Sequence, residues 1–354
     1  MKNCIVLTGG GTAGHVMPHF ALLDSLKQNY SKIVYIGSKN GVEKEIVKNK
    51  ANLDFYGIDA VKFVRGKILV NLLLPVKLIK AKHQAKKYLK TTKPNIIFSK
   101  GGFVSVPVVL AAKSLKIPVV CHESDLSMGL ANKICSKYAK CVCTTFEKTS
   151  HLKSNNGVFT GTPLISQAKN LDAINQTKKR LGILPNLKVL LVTGGSLGSV
   201  AINKAVFSAI NTLTKNYYVI HITGKGNKNN NLNLKNYTQI EFASNMPELI
   251  DIADIVVSRA GSNTIFELAH ALKPMLLIPL PKGTSRGDQV ENANYFKDNH
   301  FANVLYQENL SPTTLVEMIN TTNNEKANLI KHLKNSGFKN GTKQVLEQIY
   351  KYSL

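Results

Sequence analysis

The hydrophobic positions in the first half of the chain form short apolar runs, separated by stretches whose apolar residues recur every three or four positions. Short continuous runs are typical of buried strands, and the second pattern is typical of amphipathic helices. This alternation predicts a parallel, doubly wound sheet. We predict strands at residues 4–7, 33–37, 55–58, 95–99, 118–121 and 141–144, and helices at residues 16–27, 40–50, 71–90 and 107–115.

The pattern restarts after a break near residues 160–163 and a polar helix at residues 170–181. The simplest account is an α/β chain of two Rossmann-like, doubly wound parallel-sheet domains. Ligands of such sheets bind outside the carboxyl ends of the strands, so we expect two domains that face a cleft. The further predicted strands are residues 188–193, 218–222, 240–242, 255–257 and 275–278, with a helix from Ile202.

Length and composition fit a two-domain globular protein. The 354 residues suffice for two domains of ordinary size, and 44% of them are hydrophobic. Five cysteines are an odd number, which disfavours a disulfide framework and favours a reducing cytoplasm. The sequence shows no signal-peptide pattern and no apolar run near the ~20 residues of a membrane-spanning helix.

The net charge of +25 indicates an anionic partner: nucleic acid, anionic lipid or a phosphorylated substrate, unless it only reflects a general lysine bias. No Asp or Glu occurs between residues 60 and 122, and the helix predicted at residues 71–90 has an apolar front followed by lysines. Such a helix suits the headgroup region of an anionic membrane, and the alternative is an ordinary amphipathic core helix with a solvated basic side. The residues expected to meet the membrane are Leu72, Leu73, Leu74, Leu78, Ile79, Lys77 and Lys80.

A glycine-rich turn at residues 8–15 connects the first predicted strand to the first predicted helix. Such a turn lets the backbone approach an anion and aims N–H donors at it, so a phosphate or diphosphate is the expected ligand. The alternative is a tight turn without a ligand, because the spacing is not that of dinucleotide binders. Similar turns at residues 99–105 and 194–198, and a helix start at residues 259–267, suggest two phosphorylated substrates.

Several side chains near these turns carry acid–base or hydrogen-bonding chemistry. An unperturbed histidine can take a proton near neutrality, so His15 is a candidate general base, or it steadies its loop. Glu267 is a candidate acceptor for ribose hydroxyls, or a favourable charge near a helix N-terminus. Gln289 could reach sugar hydroxyls. His19, His122 and Glu123 are further candidates, and no metal-ligand spacing accompanies them, so we expect a metal-free mechanism.

These motifs resemble, in order, those of the MurG family, which transfers N-acetylglucosamine (GlcNAc) from UDP-GlcNAc to undecaprenyl-pyrophosphoryl-MurNAc-pentapeptide (lipid I) and forms lipid II. The resemblance covers nearly the whole chain and implies an inverting GT-B glycosyltransferase without a cofactor. The matching segments are residues 9–15, 101–107, 122–125 with 129–133, 194–198, and 259–267 with 288–289 and 292–293.

The resemblance also implies a division of labour along the chain. Residues 1–162 would hold lipid I and dock on an anionic membrane surface, residues 163–340 would hold UDP-GlcNAc, and residues 341–354 would pack back on the N-terminal domain. The implied location is peripheral, on the cytoplasmic side of the cell membrane. Other cell-wall synthesis proteins are further candidate partners, and nucleic acid is not.

Site roles are carried over from the family residue by residue. His15 is the favoured base for the acceptor C4 hydroxyl, and Glu123 is the second candidate. The residues expected to bind UDP-GlcNAc are Thr12, Ala13, Gly14, Asp125, Ser196, Ala243, Ser262, Asn263, Thr264, Ile265, Phe266, Glu267 and Gln289. The residues expected to bind the acceptor diphosphate are Gly10, Gly11, Gly101 and Gly102.

The chain departs from the commoner family pattern in three places. Asp125 stands where Asn is frequent, and Leu164 and Ile165 stand where an Arg is frequent, which leaves one phosphate contact unassigned. Ala13 replaces a usual Gly, which the loop tolerates only if φ there is negative. The rival interpretations are another GT-B enzyme, such as a glycolipid synthase or a UDP-GlcNAc epimerase, and a basic nucleic-acid binder.

Overall fold

The computed structural model describes residues 2–51, 53–63, 71–151, 155–165, 171–195, 197–243, 245–283 and 285–354. The chain divides into two compact units. The first unit comprises Met1–Ser166 with Lys339–Leu354, and the second unit comprises Gln167–Phe338.

The first unit is built on a parallel sheet of seven strands in the order β3-β2-β1-β4-β5-β6-β7. β1 lies between β2 and β4, so the strand order reverses there, and Thr8 at the end of β1 pairs with Ser99 at the end of β4. Ligands of doubly wound sheets bind at such a reversal. The strands are β1 Lys2–Thr8, β2 Tyr30–Ser38, β3 Asp54–Ile58, β4 Ile96–Ser99, β5 Val119–Glu123, β6 Cys141–Thr144 and β7 Gly157–Phe159.

Helices cover both faces of this sheet and bury its apolar side chains in two clusters. Helix α4 begins with a proline in its first turn, where the missing N–H is tolerated, and buries Ala81, Ala85 and Leu89. The C-terminal helix α15 packs Val345 and Ile349 into the second cluster. The helices are α1 Met17–Phe20, α2 Leu23–Asn29, α3 Val42–Ala51, α4 Leu74–Thr92, α5 Ser105–Ser114, α6 Leu130–Cys135, α7 Glu147–Ser150 and α15 Thr342–Tyr352.

The second unit repeats the plan with a six-stranded parallel sheet in the order β10-β9-β8-β11-β12-β13. Its reversal lies between β8 and β11, where Thr193 pairs with Ser258. The strands are β8 Lys188–Thr193, β9 Tyr217–Ile222, β10 Tyr237–Ile240, β11 Ile255–Ser258, β12 Met275–Leu277 and β13 Asn303–Val304. The helices are α8 Leu171–Arg180, α9 Val200–Leu213, α10 Met246–Ile252, α11 Ser262–His270, α12 Asp288–Asp298, α13 Pro312–Asn324 and α14 Lys326–Asn335.

The two predicted Rossmann-like parallel sheets are confirmed, with differences at element ends. The helix predicted at residues 16–27 is interrupted between α1 and α2, where the Leu22 N–H donates to the His19 carbonyl. The strand predicted at residues 240–242 is wrong: β10 ends at Ile240 because its neighbour β9 ends at Ile222 and offers no further partner.

Two bulk features complete the fold. All five cysteines are buried as free thiols. Within the described ranges, no helix is both long enough and apolar enough to cross a bilayer.

Candidate active site

Two glycine loops of the first unit meet at the sheet reversal, after β1 and after β4. A Cβ added to Gly102, whose φ is +80°, would lie 2.2 Å from the Gly10 carbonyl oxygen. A Cβ added to Gly11, whose φ is +89°, would lie 2.8 Å from the Phe103 ring. The two loops therefore pack backbone against backbone, and only glycine fits at Gly102.

Glu43, at the start of α3, is hydrogen-bonded to the first glycine loop. This side chain is fully buried, and its carboxylate oxygens accept hydrogen bonds from the Ser38 N–H at 2.8 Å and the Gly11 N–H at 3.3 Å. Because the Gly11 N–H is engaged, a diphosphate at this loop would rely on other donors. The sequence pattern missed this role, since a charged residue in a predicted helix is usually solvated.

The candidate base His15 lies in a short 3₁₀ turn, Ala13–His15, which follows the first loop. Its Nδ1 is 3.0 Å from the Thr12 hydroxyl, and the ring is half-buried. The backbone at Ala13 is helical and has no positive φ, so the alanine fits where the family often has glycine. Gly14 and Thr12 are exposed on the same turn.

His19 and His122 are both buried beneath this edge of the sheet. Burial lowers the pKa of His19 to about 3, and its Nδ1 lies 3.1 Å from the Val16 carbonyl. Burial also lowers the pKa of His122, whose Nε2 lies 3.0 Å from the Gly161 carbonyl. Imidazoles that are enclosed in this way are not in reach of an external hydroxyl, so neither fits the role of its base.

Glu123 ends β5 and is almost fully buried. Its oxygens accept hydrogen bonds from the Asp125 N–H at 3.0 Å, the Gly129 N–H at 2.9 Å and the Asn132 side-chain amide at 3.0 Å. Burial, and then the nearby Asp125 carboxylate, raise the pKa of Glu123. These contacts show that Glu123 stabilises the loop after β5. Because its oxygens are already engaged, they favour His15 over Glu123 as the base.

Lys100, directly before the second glycine loop, is a buried cation that the sequence pattern did not single out. Its Nζ lies 2.7 Å from His122 Nδ1 and also donates to the Ser124 hydroxyl. Gly101 and Gly102 follow it with φ values of +86° and +80°. The second loop therefore carries a positive charge at its base.

The second unit places its own glycine loop after β8, beside the start of α11. A Cβ on Gly198 would lie 2.1 Å from the Thr223 carbonyl oxygen, while one on Gly195 would meet nothing within 4 Å. The side chain of Ser199 caps α9 by accepting from the Ile202 N–H. Ser196, expected to contact the donor phosphates, lies outside the described residues.

Arg259 lies between β11 and α11 and connects this segment to Ser199 at the start of α9. Its guanidinium donates to the Ser199 hydroxyl at 2.7 Å, to Gln307 Oε1 at 2.6 Å, and to the Ile278 and Pro279 carbonyls at 3.1 Å each. Desolvation lowers the pKa of this buried arginine. Because these contacts within the described residues are to neutral oxygens, Arg259 holds the loops at this edge of the sheet in place.

Helix α11 supplies six of the thirteen residues expected to bind UDP-GlcNAc. Gly261 precedes it, and a Cβ there would meet nothing within 4 Å, which leaves room for a ligand at the helix N-terminus. Asn263 and Thr264 are partly exposed, whereas Ile265 and Phe266 are buried in the core. The side chains of these two apolar residues therefore support the helix and do not line a ligand surface.

Glu267 lies on the exposed side of α11. Protein atoms packed around its carboxyl raise the pKa of Glu267 to about 7. The side chain reaches solvent, so water screens part of this effect. Gln289, in the first turn of α12, accepts a hydrogen bond from the Leu280 N–H at 3.0 Å, and Ala243 lies in the loop after β10.

Only some of the residues expected to meet a membrane, at residues 72–80, are exposed. Leu72, Leu73, Val76 and Ile79 are between 59% and 67% exposed, whereas Leu78 packs against the core. Lys77 and Lys80 are exposed, Leu74 is half-buried, and Lys80 Nζ lies 3.2 Å from Asp59. The structure thus turns Leu78 away from the face that carries the other apolar side chains.

Over the described ranges, no group of three or more His, Cys, Asp or Glu side chains is arranged to hold a metal ion.

Comparison with known proteins identifies the family. Residues 5–144 match the N-terminal domain of glycosyltransferase family 28, and residues 189–349 match its C-terminal domain. The UDP-N-acetylglucosamine--N-acetylmuramyl-(pentapeptide) pyrophosphoryl-undecaprenol N-acetylglucosamine transferase of Clostridium botulinum (strain Alaska E43 / Type E3) is 45% identical over 359 residues, which cover 99% of this chain and 98% of the relative. The protein of the same name from Clostridium perfringens (strain SM101 / Type A) is 44% identical over 353 residues, which cover 99% of this chain and 98% of that relative.

Among solved structures, that of Acinetobacter baumannii MurG aligns with a TM-score of 0.76 and 27% identity, covering 99% of this chain and 100% of that chain. The two matched domains, the parallel sheets and the motif resemblance agree along nearly the whole sequence. The chain therefore belongs to glycosyltransferase family 28 and, within it, to the MurG family of N-acetylglucosamine transferases.

Proposed function

We propose that this enzyme transfers GlcNAc from UDP-GlcNAc to the C4 hydroxyl of MurNAc in lipid I, and so forms lipid II for peptidoglycan synthesis. The observation that carries this proposal is the 45% identity, over 99% of the chain, to a relative that bears this activity in its name. The five ordered motifs, each at the carboxyl edge of a parallel sheet, agree with it.

His15 acts as the general base in this proposal. The imidazole takes the proton of the acceptor hydroxyl, which attacks the anomeric carbon of GlcNAc in line and inverts its configuration. Thr12, 3.0 Å from Nδ1, orients the ring so that Nε2 accepts the proton. The N-termini of α9 and α11 and the loop around Gly195 receive the negative charge of the departing UDP.

The enzyme lies on the cytoplasmic face of the membrane, with the exposed apolar residues at the start of α4 in the headgroup region. Leu72, Leu73, Val76 and Ile79 supply the apolar contact, and Lys77 supplies attraction to anionic lipid. Leu78, which packs on the core, does not take part.

The transfer reaction is tested with labelled UDP-GlcNAc and a short-chain, soluble lipid I. Wild type is expected to form the disaccharide lipid, and His15→Ala to lose roughly 100-fold or more in kcat, the usual size of a general-base effect. His15→Gln is the matched control for ring removal without a cavity. If both variants keep more than a tenth of wild-type kcat, His15 is not the base.

The same assay separates the rival enzyme classes. Release of free sugar from UDP-GlcNAc without acceptor would indicate an epimerase, and transfer to a simple glycolipid in preference to lipid I would indicate a glycolipid synthase.

Membrane docking is tested by sedimentation with phosphatidylglycerol vesicles. A Leu72→Ser/Ile79→Ser double variant is expected to bind at least tenfold more weakly, since two exposed apolar side chains no longer enter the headgroup region. Val42→Ser, which changes an exposed valine on α3, is the matched control and should bind like wild type. Equal binding by wild type and the double variant would place the docking surface elsewhere.

A further inference from the structure

A buried lysine at the second glycine loop has no role in the mechanism described so far. Lys100 follows β4 at the sheet reversal, its N–H donates to the Thr8 carbonyl at 2.9 Å, and its side chain is 1% exposed. We propose that the Lys100 ammonium supplies the positive charge of the acceptor-diphosphate site, which it serves through the Ser124 hydroxyl and the backbone of Gly101 and Gly102. This inference rests on lipid I being the acceptor.

The proton positions around Lys100 follow from its partners. His122 Nε2 faces the Gly161 carbonyl at 3.0 Å, which is a pure acceptor, so Nε2 carries the hydrogen of the neutral ring. His122 Nδ1 is then an acceptor and takes a hydrogen bond from the Lys100 ammonium at 2.7 Å. When the pair is protonated, its positive charge therefore resides on Lys100.

The groups that face this ammonium do not neutralise it by direct contact. Glu123 on β5 and Asp125 in the following loop act on Lys100 through space, and in the part of the chain described here no ion pair within 4.0 Å joins Lys100 to a carboxylate. Cys143 on β6 and His19 on α1 are buried and neutral neighbours. Burial lowers the pKa of Lys100 to about 7.

A cation enclosed without a directly paired carboxylate is costly in a protein interior. An apolar side chain would fill the same space without that cost, so the charge calls for a ligand that uses it. The adjoining feature is the second glycine loop, where two consecutive residues with positive φ lead into the N-terminus of α5. Such a loop with a positive charge beneath it fits a diphosphate, which carries negative charge in every relevant pH range.

Lys100 is a positioning residue in this proposal, since its enclosed ammonium acts through Ser124 and the loop. Its loss should weaken acceptor binding and leave the chemical step and the donor site unchanged. Lys100→Met keeps the length and volume of the side chain and removes the charge. Lys148→Met, which removes an exposed lysine from α7 of the same unit, is the matched control for the change in net charge.

The experiment measures steady-state kinetics and calorimetric binding with soluble lipid I at pH 7. For Lys100→Met we expect the acceptor KM and Kd to rise about tenfold or more, the effect of one lost charge at a site shielded from water. Its kcat and donor KM should stay within about twofold of wild type, a split that a general structural defect does not produce. An unchanged acceptor Kd, or a defect mainly in the donor KM, would overturn the proposal.

A second measurement covers a variant that fails to fold. Because a bound diphosphate favours the charged ammonium, wild type at pH 8 should take up protons when it binds lipid I, which calorimetry in buffers of different ionisation enthalpy detects. Binding without proton uptake would overturn the role of Lys100. A wild type that binds lipid I but transfers no sugar would contradict the proposed function while leaving this binding test valid, and a wild type that does not bind lipid I would contradict both.

Discussion

Replacement of Gly102 by alanine tests whether the contact between the two glycine loops builds the acceptor site. The added Cβ would lie 2.2 Å from the Gly10 carbonyl oxygen, whereas real Cβ atoms essentially never come within 3.0 Å of another heavy atom. One loop must therefore move by about 1 Å, and misplacement of that size can cost a catalytic site about 100-fold in rate. The φ of +80° adds backbone strain of about 1–2 kcal/mol.

The assay is kcat/KM for soluble lipid I, together with thermal melting followed by circular dichroism. We expect Gly102→Ala to lose about 100-fold in kcat/KM, because the loop that carries Gly10 is displaced. Gly182→Ala is the matched control: Gly182 has a φ of +67° and nothing within 4 Å of the added carbon. The backbone strain should lower the melting temperature of Gly182→Ala, and its kcat/KM should stay within about twofold of wild type.

The comparison between the two variants separates strain from displacement. If Gly102→Ala melts like the control and keeps more than a tenth of wild-type kcat/KM, the packed loops do not form the acceptor site. An acceptor KM that is unchanged in Gly102→Ala would refute the reasoning equally, since the packed loops are expected to hold the acceptor diphosphate.

Two further predictions concern acids. Glu43→Gln should destabilise the protein by about 2 kcal/mol in chemical denaturation, because an amide cannot accept from both backbone N–H groups as the carboxylate does; an unchanged midpoint would contradict this. The pKa of Glu267 is raised, so its carboxylate forms later than usual as pH rises, and UDP binding should strengthen from pH 6 to pH 8 if the ionised group accepts from ribose hydroxyls. Calorimetry should find binding to Glu267→Gln weaker by about tenfold and flat over that range; equal slopes would exclude the contact.

The parallel strands were predictable because both faces of each strand are covered. The strands at residues 141–144 and 188–193 were predicted at their observed limits, since such strands are continuous apolar runs with abrupt polar ends. The edge strands Gly157–Phe159 and Asn303–Val304 were missed, because three or two residues are too few to give a pattern. The error at residues 240–242 arose because a strand needs a neighbour as well as apolar residues.

The glycine loops were predictable as anion sites, but the groups that hold them were not. Whether Ile265 and Phe266 face a ligand or the core depends on how α11 is rotated against the sheet, and the rings of Phe296 and Phe338 beside Phe266 lie far away in sequence. The same limit applies to Leu78, which packs on the core although Lys77 and Ile79 on either side of it in the sequence are exposed.

Buried charges show why local pattern fails at this site. Glu43, Lys100 and Arg259 follow or flank strands of the two reversals, yet their contacts are mostly to neutral backbone or hydroxyl groups of loops distant in sequence. A charged side chain buried in this way is recognised only when those loops are in place, because desolvation must be offset by hydrogen bonds that the fold supplies. The contacts of Glu123 follow the same rule: an acid that two N–H groups and an amide already occupy supports a loop, and this argues for His15 as the residue left to move a proton.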